Sequence, residues 1–156
     1  MRALTSDVGT EETERSKQTE MKTLEFRITS HIKEIDGAVE SVLEFCTSIG
    51  FDDESLFNID IPLREALANA IEHGNRSSDE RFVMIFVDEI ADGVEIRVRD
   101  FGSGFDPEKV ADPTQPENLL ASSGRGILFM RTMMDSVEWE QHPEGGTVVR
   151  MIKKRL

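Results

Sequence analysis

Two predicted strands, residues 81–89 and 94–99, place the strongest constraint on the fold of this chain. They are joined at Asp92-Gly93, a dipeptide that readily accepts the positive φ angles of a tight hairpin turn. In the second segment, valine and isoleucine alternate with charged residues, which predicts a strand with one buried face. The middle of the chain is therefore expected to be a β-hairpin with one apolar face that other elements must bury.

The segments around this hairpin predict the strands and helices that complete the sheet and bury its apolar face. Residues 23–28 alternate like a strand, and apolar residues then recur at helical spacing from Ile32 to Ile49, before Gly50. A second apolar stripe predicts a helix over 59–72, ended by Gly74-Asn75. After an irregular segment rich in glycine and proline, we expect a helix over 125–134 and a hairpin of strands 136–141 and 147–153. This order predicts an α+β fold: a two-layer α/β sandwich whose mostly antiparallel mixed sheet has helices on one face.

Length and composition favour a single intracellular domain. At 156 residues the chain has room for one domain. Residues 1–20 lack apolar periodicity and are expected to form a flexible tail before a folded domain at 21–156. No apolar run approaches the roughly twenty residues of a membrane-spanning helix, and the N-terminus is unlike a signal peptide. The single cysteine, Cys46, suits a reducing compartment, so we expect a cytoplasmic location.

The charge balance limits the range of partners. The chain has 31 acidic and 18 basic residues, a formal net charge of −13. Such a surface repels nucleic acid and anionic membrane, and an anionic ligand needs a locally screened site. The same charge favours a basic protein partner, and it also serves simply to keep a domain soluble.

Three polar residues of the second predicted helix form the first candidate site. Glu65, Asn69 and His73 lie four residues apart, so they share one helix face. This polar stripe lies about 130° from the apolar stripe, which places it at the edge of a helix that packs on a sheet. A carboxylate there is suited to accept a proton, and an amide oxygen is suited to bind Mg²⁺. The same pattern is also typical of an ordinary solvated helix face.

Two glycine-rich segments form the second part of the candidate site. Asp100 lies where a strand breaks into Phe101-Gly102-Ser103-Gly104, and a carboxylate at that point can accept a hydrogen bond from an amino group of adenine. Gly124-Arg125-Gly126 begins a predicted helix, where free N–H groups favour an anion. Each segment has a simpler interpretation: a loop that needs positive φ angles, and a surface arginine. Gly145-Gly146 is consistent with a hairpin turn alone.

Taken in order, these segments resemble the ATP-binding domain shared by gyrase, the Hsp90 chaperones, histidine kinases and MutL, and in particular the bacterial anti-sigma factor serine/threonine kinases. The matching segments are REALANAIEH for the N-box of that family, RDFGSGF and SSGRGILFMRTMMD for its two glycine boxes, and EGGTVV for its last motif. The resemblance covers about residues 21–156 and implies the Bergerat-type ATP-binding fold.

The resemblance implies a role for each matching residue. Glu65 would be the catalytic carboxylate, Asn69 the Mg²⁺ ligand, and Asp100 the adenine contact. His73 matches the motif and would contact the nucleotide, with capping or packing as its alternative role. The remaining implied ATP-binding residues are Gly102 and Gly104, which would let the chain pass the nucleotide; Gly124, Arg125 and Gly126, which would hold the phosphates below a lid at about 105–123; and Thr147, which would support the adenine pocket.

The resemblance also implies a function. It would be an Mg-ATP-dependent protein serine/threonine kinase that phosphorylates an anti-anti-sigma (STAS-type) partner and sequesters a sigma factor, with dimerisation left open. The alternative is a nucleotide-dependent protein-binding switch with little or no kinase activity. The catalytic half of a two-component histidine kinase fits less well, because it needs two long helices before the ATP-binding domain and only one is predicted here. The DNA-acting and chaperone relatives carry additional transducer domains for which this chain has no room.

Overall fold

A computed structural model describes residues 20–102 and 122–156 of the chain. The described chain begins with one strand and two helices, followed by a hairpin, a helix and a second hairpin. In chain order they are β1 (Thr23–Thr29), a 3₁₀ turn (Ile32–Glu34), α1 (Ile35–Ser48), α2 (Asp53–Asn69), a π-helical turn (Ala70–Gly74), β2 (Phe82–Ile90), β3 (Gly93–Arg99), α3 (Ser122–Met133), β4 (Ser136–Gln141) and β5 (Thr147–Lys154). The predicted tail lies outside the described residues, apart from Glu20, and so does most of the predicted lid.

The five strands form one sheet in the order β1-β2-β3-β5-β4. Each of the four pairings between them is antiparallel. The α+β class and the antiparallel sheet are therefore confirmed, whereas the expected mixed character is wrong for the described strands. The reason lies in the connections, since two tight hairpins set two of the pairings and β5 then runs antiparallel to β3.

One face of the sheet forms the core with the helices. A single cross-strand row contains Phe26, Ile85, Val98, Val149 and Trp139, each directly opposite the next. The helices supply fully buried Val42 from α1 and Leu63 and Leu67 from α2. Each such aliphatic side chain contributes about 1.5–3 kcal/mol to the free energy of unfolding through its removal from water. Helices on one face of the sheet, as predicted, follow from this one-sided apolar pattern.

The α2 helix begins six residues before its predicted start at Ile59. Asp52 is its N-cap, and its side chain accepts a hydrogen bond from the N–H of Ser55 at 2.8 Å. This bond lowers the pKa of Asp52. Acidic Asp53 and Glu54 occupy the first turn, where they interact favourably with the helix dipole. Capping residues, and not the first apolar residue, therefore determine where the helix begins.

The end of α2 also differs from the prediction. The chain continues beyond Asn69 as a π-helical turn, in which the N–H of Asn75 donates to the carbonyl of Ala70 at 2.8 Å. The backbone turns away at Arg76 and Ser77, which have φ angles of 52° and 53°. Gly74 does not take a left-handed conformation and is needed for a different reason, given below.

Two further element boundaries differ from the sequence interpretation. Gly93 is the first residue of β3 and lies opposite Ile90, so the hairpin turn is formed by Ala91 and Asp92. A Cβ atom at Gly93 would overlap the carbonyl oxygen of Lys153, so close strand packing and not a positive φ angle requires glycine here. The α3 helix begins at Ser122, three residues before its predicted start at Arg125.

No helix within residues 20–102 and 122–156 is both long enough and apolar enough to cross a membrane.

Candidate functional site

Asp100 is a buried carboxylate held at the end of β3, with 5% of its surface exposed. Its Oδ1 atom accepts hydrogen bonds from the N–H of Gly102 at 2.9 Å and from the N–H of Thr147 at 3.2 Å. Burial raises the pKa of Asp100, and these two hydrogen bonds and the charges of Arg81 and Arg99 act in the opposite direction. The sheet thus fixes an acceptor in a weakly hydrated position.

The π-helical turn brings Gly74 against this carboxylate. A Cβ atom at Gly74 would overlap the Asp100 side chain, and one at Gly102 would overlap the carbonyl oxygen of Gly74. Both positions therefore exclude any side chain. The wider π turn occurs where α2 meets the glycine loop, and such turns are frequent at functional sites.

Asn75 is a completely buried polar residue that fastens the same loop. Its Nδ2 atom donates to Ser30 Oγ and to the carbonyl of Phe82, both at 2.9 Å, and its Oδ1 atom accepts from the N–H of Phe101 at 2.8 Å. Asn75 was not among the predicted site residues. Its position two residues after His73, at the end of the motif helix, was the only sequence signal that could have suggested a role.

A cavity lies between α2, α3 and the sheet beside Asp100. Its lining combines three polar residues with apolar side chains: Ala66, Asn69, Ala70, Val98, Asp100, Met130, Trp139, Thr147 and Val149. The centre of a water molecule can reach about 20 Å³ of this space, room for about one water. A larger ligand therefore requires its walls to move apart.

The α3 helix packs against Glu65. A Cβ atom at Gly126 would overlap Glu65 Oε2, so the glycine allows the helix to cover this carboxylate. Burial raises the pKa of Glu65, and the nearby charge of Glu72 raises it further. Glu65 is half-buried and lies beside the cavity under α3, not in its lining.

The structure brings some of the predicted site residues together and leaves others apart. Asn69, Asp100 and Thr147 line one cavity, with Glu65 and Gly126 next to it and Gly102 bonded to Asp100. His73 and Arg125 are exposed, and neither lines the cavity. Because α3 begins at Ser122, Gly124 and Arg125 lie in its first turns and the N–H of Gly126 is in position to bond within the helix. Gly104 lies outside the described residues.

Sequence reasoning missed the apolar walls of the cavity. Met130 lies in α3 and Trp139 in β4, elements that the sequence predicted only as a helix and as one strand of a hairpin. Trp139 is the single tryptophan of the chain, a composition signal that could have drawn notice. Within the described residues, no group of three or more histidine, cysteine or acidic side chains could hold a metal ion.

Residues 28–153 match the family model described as "Histidine kinase-like ATPase domain". A relative named anti-sigma F factor, from Heyndrickxia coagulans, is 40% identical over 97 residues, which are 59% of this chain and 64% of the relative. A relative named serine-protein kinase RsbW, from Oceanobacillus iheyensis, is 28% identical over 96 residues, 58% of this chain and 61% of the relative. The chain thus spans less than two thirds of each of these relatives.

A solved structure has a similar fold. It is the crystal structure of the RsbU and RsbW domains of Rv1364c from Mycobacterium tuberculosis, with a TM-score of 0.60, 17% identity, and coverage of 85% of this chain and 32% of that chain. At this identity the likeness shows the fold alone. The matched range of residues 28–153 includes every residue that lines the cavity. This chain therefore belongs to the histidine kinase-like ATPase domain family.

Proposed function

We propose that this chain is an anti-sigma regulatory factor that binds Mg-ATP and phosphorylates a serine or threonine of an anti-anti-sigma, STAS-type partner. The observation that carries the proposal is the buried Asp100 carboxylate, held in a cavity that also contains Asn69 and Thr147. The family match and the names of the two relatives support it. A sigma factor is the second protein that we expect the chain to bind.

Asp100 is suited to recognise the amino group of adenine. Both backbone N–H groups that hold it donate to Oδ1. This arrangement leaves Oδ2 as the acceptor for a ligand. A carboxylate accepts hydrogen bonds and donates none, so it favours a base edge that carries an amino group over one that carries a carbonyl.

The residues present fit a magnesium ion held mainly by the nucleotide. Asn69, whose side chain carries one amide oxygen, lines the cavity. Mg²⁺ usually takes only one or two protein ligands and completes its shell with water and phosphate oxygens. The absence of an acidic cluster within the described residues is compatible with that chemistry. The bound ion would neutralise phosphate charge in a chain whose net charge is −13.

Glu65 would serve as the proton acceptor. The hydroxyl oxygen of the partner forms a bond to the terminal phosphorus while the bond from that phosphorus to the bridging oxygen breaks, and ADP leaves. The hydroxyl proton passes to the Glu65 carboxylate. The carboxylate can reach the hydroxyl only when α3 moves away from it, because α3 covers Glu65 in this structure.

A purified transfer assay tests the proposal. Wild type, Glu65→Ala and Asn69→Ala are compared for ATP affinity by calorimetry and for phosphate on a STAS-type partner. We expect Glu65→Ala to reduce transfer far more than affinity, and Asn69→Ala to reduce both. Glu54→Ala, which removes an exposed carboxylate from the same helix, is the control and should change neither. Wild-type transfer by Glu65→Ala would show that this carboxylate is not catalytic.

The contact between Gly126 and Glu65 favours a second candidate function, a nucleotide-dependent protein-binding switch. In this arrangement α3 covers the carboxylate, and nucleotide binding would change the position of α3. If the wild type binds ATP tightly and releases a sigma factor in a nucleotide-dependent way, but labels no partner, the switch replaces the kinase.

A further inference from the structure

The lining of the cavity that contains Asp100 includes one aromatic residue, Trp139. Trp139 lies on β4, the edge strand of the sheet, and lines the same cavity as Asp100 and Thr147. Its register partner is Val149, another lining residue, so Trp139 points to the same side of the sheet as the cavity. The single indole of the chain is therefore part of the candidate nucleotide site.

The position of Trp139 is set from two sides. The strand register places it at the end of the apolar row that crosses the sheet. The Arg131 guanidinium, from the last turn of α3, lies over its ring at 5.3 Å from the centroid. A cation over an aromatic face stabilises that arrangement, which restricts the ring. Met130, the residue before Arg131, is completely buried and also lines the cavity.

Asp100 and Trp139, which both line the cavity, have complementary chemistry. Asp100 offers a hydrogen-bond acceptor, which recognises the edge of a heterocycle, and Trp139 offers a large π surface, which recognises its face. A flat aromatic ring with an amino group at its edge satisfies both at once. A sugar can donate hydroxyl hydrogen bonds to the carboxylate but has no π face to stack on the indole, and a phosphate anion has neither a π face nor a favourable contact with a carboxylate.

We propose that Trp139 is a base-contacting residue that stacks with the purine ring and selects ligands that carry an aromatic base. The proposal rests on the proposed function, since it assumes that the cavity opens to accept a nucleotide. The base would enter between Trp139 and the α2 wall formed by Ala66 and Ala70, two small residues that leave room for a flat ring.

The first measurement looks for the contact itself. In the ATP-bound wild type, nuclear Overhauser effects should join the indole protons of Trp139 to the H2 or H8 proton of adenine. The assignment is direct because the chain has one tryptophan. If ATP is bound but no such effect is present, the proposal is wrong while ATP binding stands. If the wild type binds no ATP, the proposed function and this proposal both fail.

The second measurement separates stacking from mere packing. Trp139→Leu keeps an apolar side chain and should weaken ATP binding by roughly 5- to 150-fold, the range expected for one base stacked on an aromatic ring. Trp139→Phe restores a π face and should recover most of the affinity. Phe57→Leu, at an aromatic residue that is 62% exposed and outside the cavity lining, is the matched control and should leave it unchanged. Equal affinities for Trp139→Leu and wild type, or equal losses for Trp139→Leu and Trp139→Phe, would overturn the stacking role.

Discussion

At the scale of single residues, the two oxygens of Asp100 differ in the backbone hydrogen bonds that they accept. Oδ1 accepts both backbone N–H groups, from Gly102 and from Thr147. An asparagine at this position has one carbonyl oxygen, which can keep both bonds, and an amide nitrogen that donates where Oδ2 accepted. A single substitution can therefore separate the role of Asp100 in the fold from its proposed contact with the base.

We predict that Asp100→Asn folds normally but loses adenine recognition. Placing a donor opposite an amino group should cost about 1–3 kcal/mol of binding free energy. Calorimetry with ATP measures the loss, and thermal unfolding checks the fold. Asp92→Asn, in the exposed hairpin turn, is the control. If Asp100→Asn keeps the ATP affinity and the base preference of the wild type, Asp100 does not recognise adenine.

Glu65 lowers stability at neutral pH because its carboxylate is covered. Burial and the charge of Glu72 raise its pKa, so the folded protein binds this proton more tightly than the unfolded chain does. The stabilisation from protonated Glu65 is complete below the unfolded pKa and is lost as the pH rises through the folded pKa. A glutamine at this position does not titrate, so its contribution to the free energy of unfolding does not depend on pH.

We therefore predict that Glu65→Gln is more stable than the wild type at neutral pH. The difference in the free energy of unfolding should shrink as the pH falls, and vanish near pH 4, about the pKa of glutamate in an unfolded chain. Urea unfolding at several pH values measures it. Asp100 titrates in both proteins, so its contribution cancels. A constant difference at all pH values would show that the charge of Glu65 is not the cause.

At the scale of elements, the contact of α3 with α2 decides how accessible the site is. Gly126 allows α3 to cover Glu65, and Met130 of the same helix lines the cavity, which has room for about one water. Binding a nucleotide in this cavity requires these two helices to separate. The atom that a Cβ at Gly126 would meet is the flexible end of a side chain, so displacing it is inexpensive.

We predict that Gly126→Ala pushes the Glu65 carboxylate toward solvent with little change in melting temperature. The pKa of Glu65 should then fall toward its ordinary value, which carboxyl NMR shifts over a pH titration would measure. Gly37→Ala in α1, where nothing lies within 4 Å of the added atom, is the matched control. It should stabilise the protein by about 0.5–1 kcal/mol and leave Glu65 unchanged. An unaltered pKa in Gly126→Ala would mean that α3 does not cover Glu65 in solution.

At the scale of the whole molecule, acidic residues greatly outnumber basic residues. The formal net charge of −13 produces repulsion across the folded surface. Arginines on the outer face of the sheet offset it locally, as Arg97 pairs with Asp88 at 2.9 Å and Arg150 with Glu95 at 2.8 Å. Such partly exposed ion pairs contribute little to stability, so repulsion should dominate the response to salt.

We predict that the melting temperature rises between low salt and about 0.15 M NaCl, where charges further apart than about 8 Å are screened. KCl at equal ionic strength should have the same effect, because screening does not depend on the identity of the cation. A melting temperature that falls with salt would mean that the outer-face ion pairs outweigh the repulsion.

Patterns within short segments determined much of this protein. The strands, the two hairpins and the three helices could be predicted because apolar periodicity reflects which face of an element is buried. The order of the motifs likewise indicated the ATP-binding family before any contact was known. Asp100 could be identified as a candidate because the alternation of β3 stops there and glycines follow.

Only the tertiary structure decided what surrounds those residues. Trp139 lines the cavity because of strand register, Asn75 bonds to residues 45 and 26 positions away, and Gly126 lets α3 cover Glu65 of another helix. Gly74 serves packing against Asp100, where its position in the sequence suggested a helix end. The physical reason is that periodicity reports how one segment faces water, whereas a cavity depends on distances between segments that are brought together only when the sheet and helices pack.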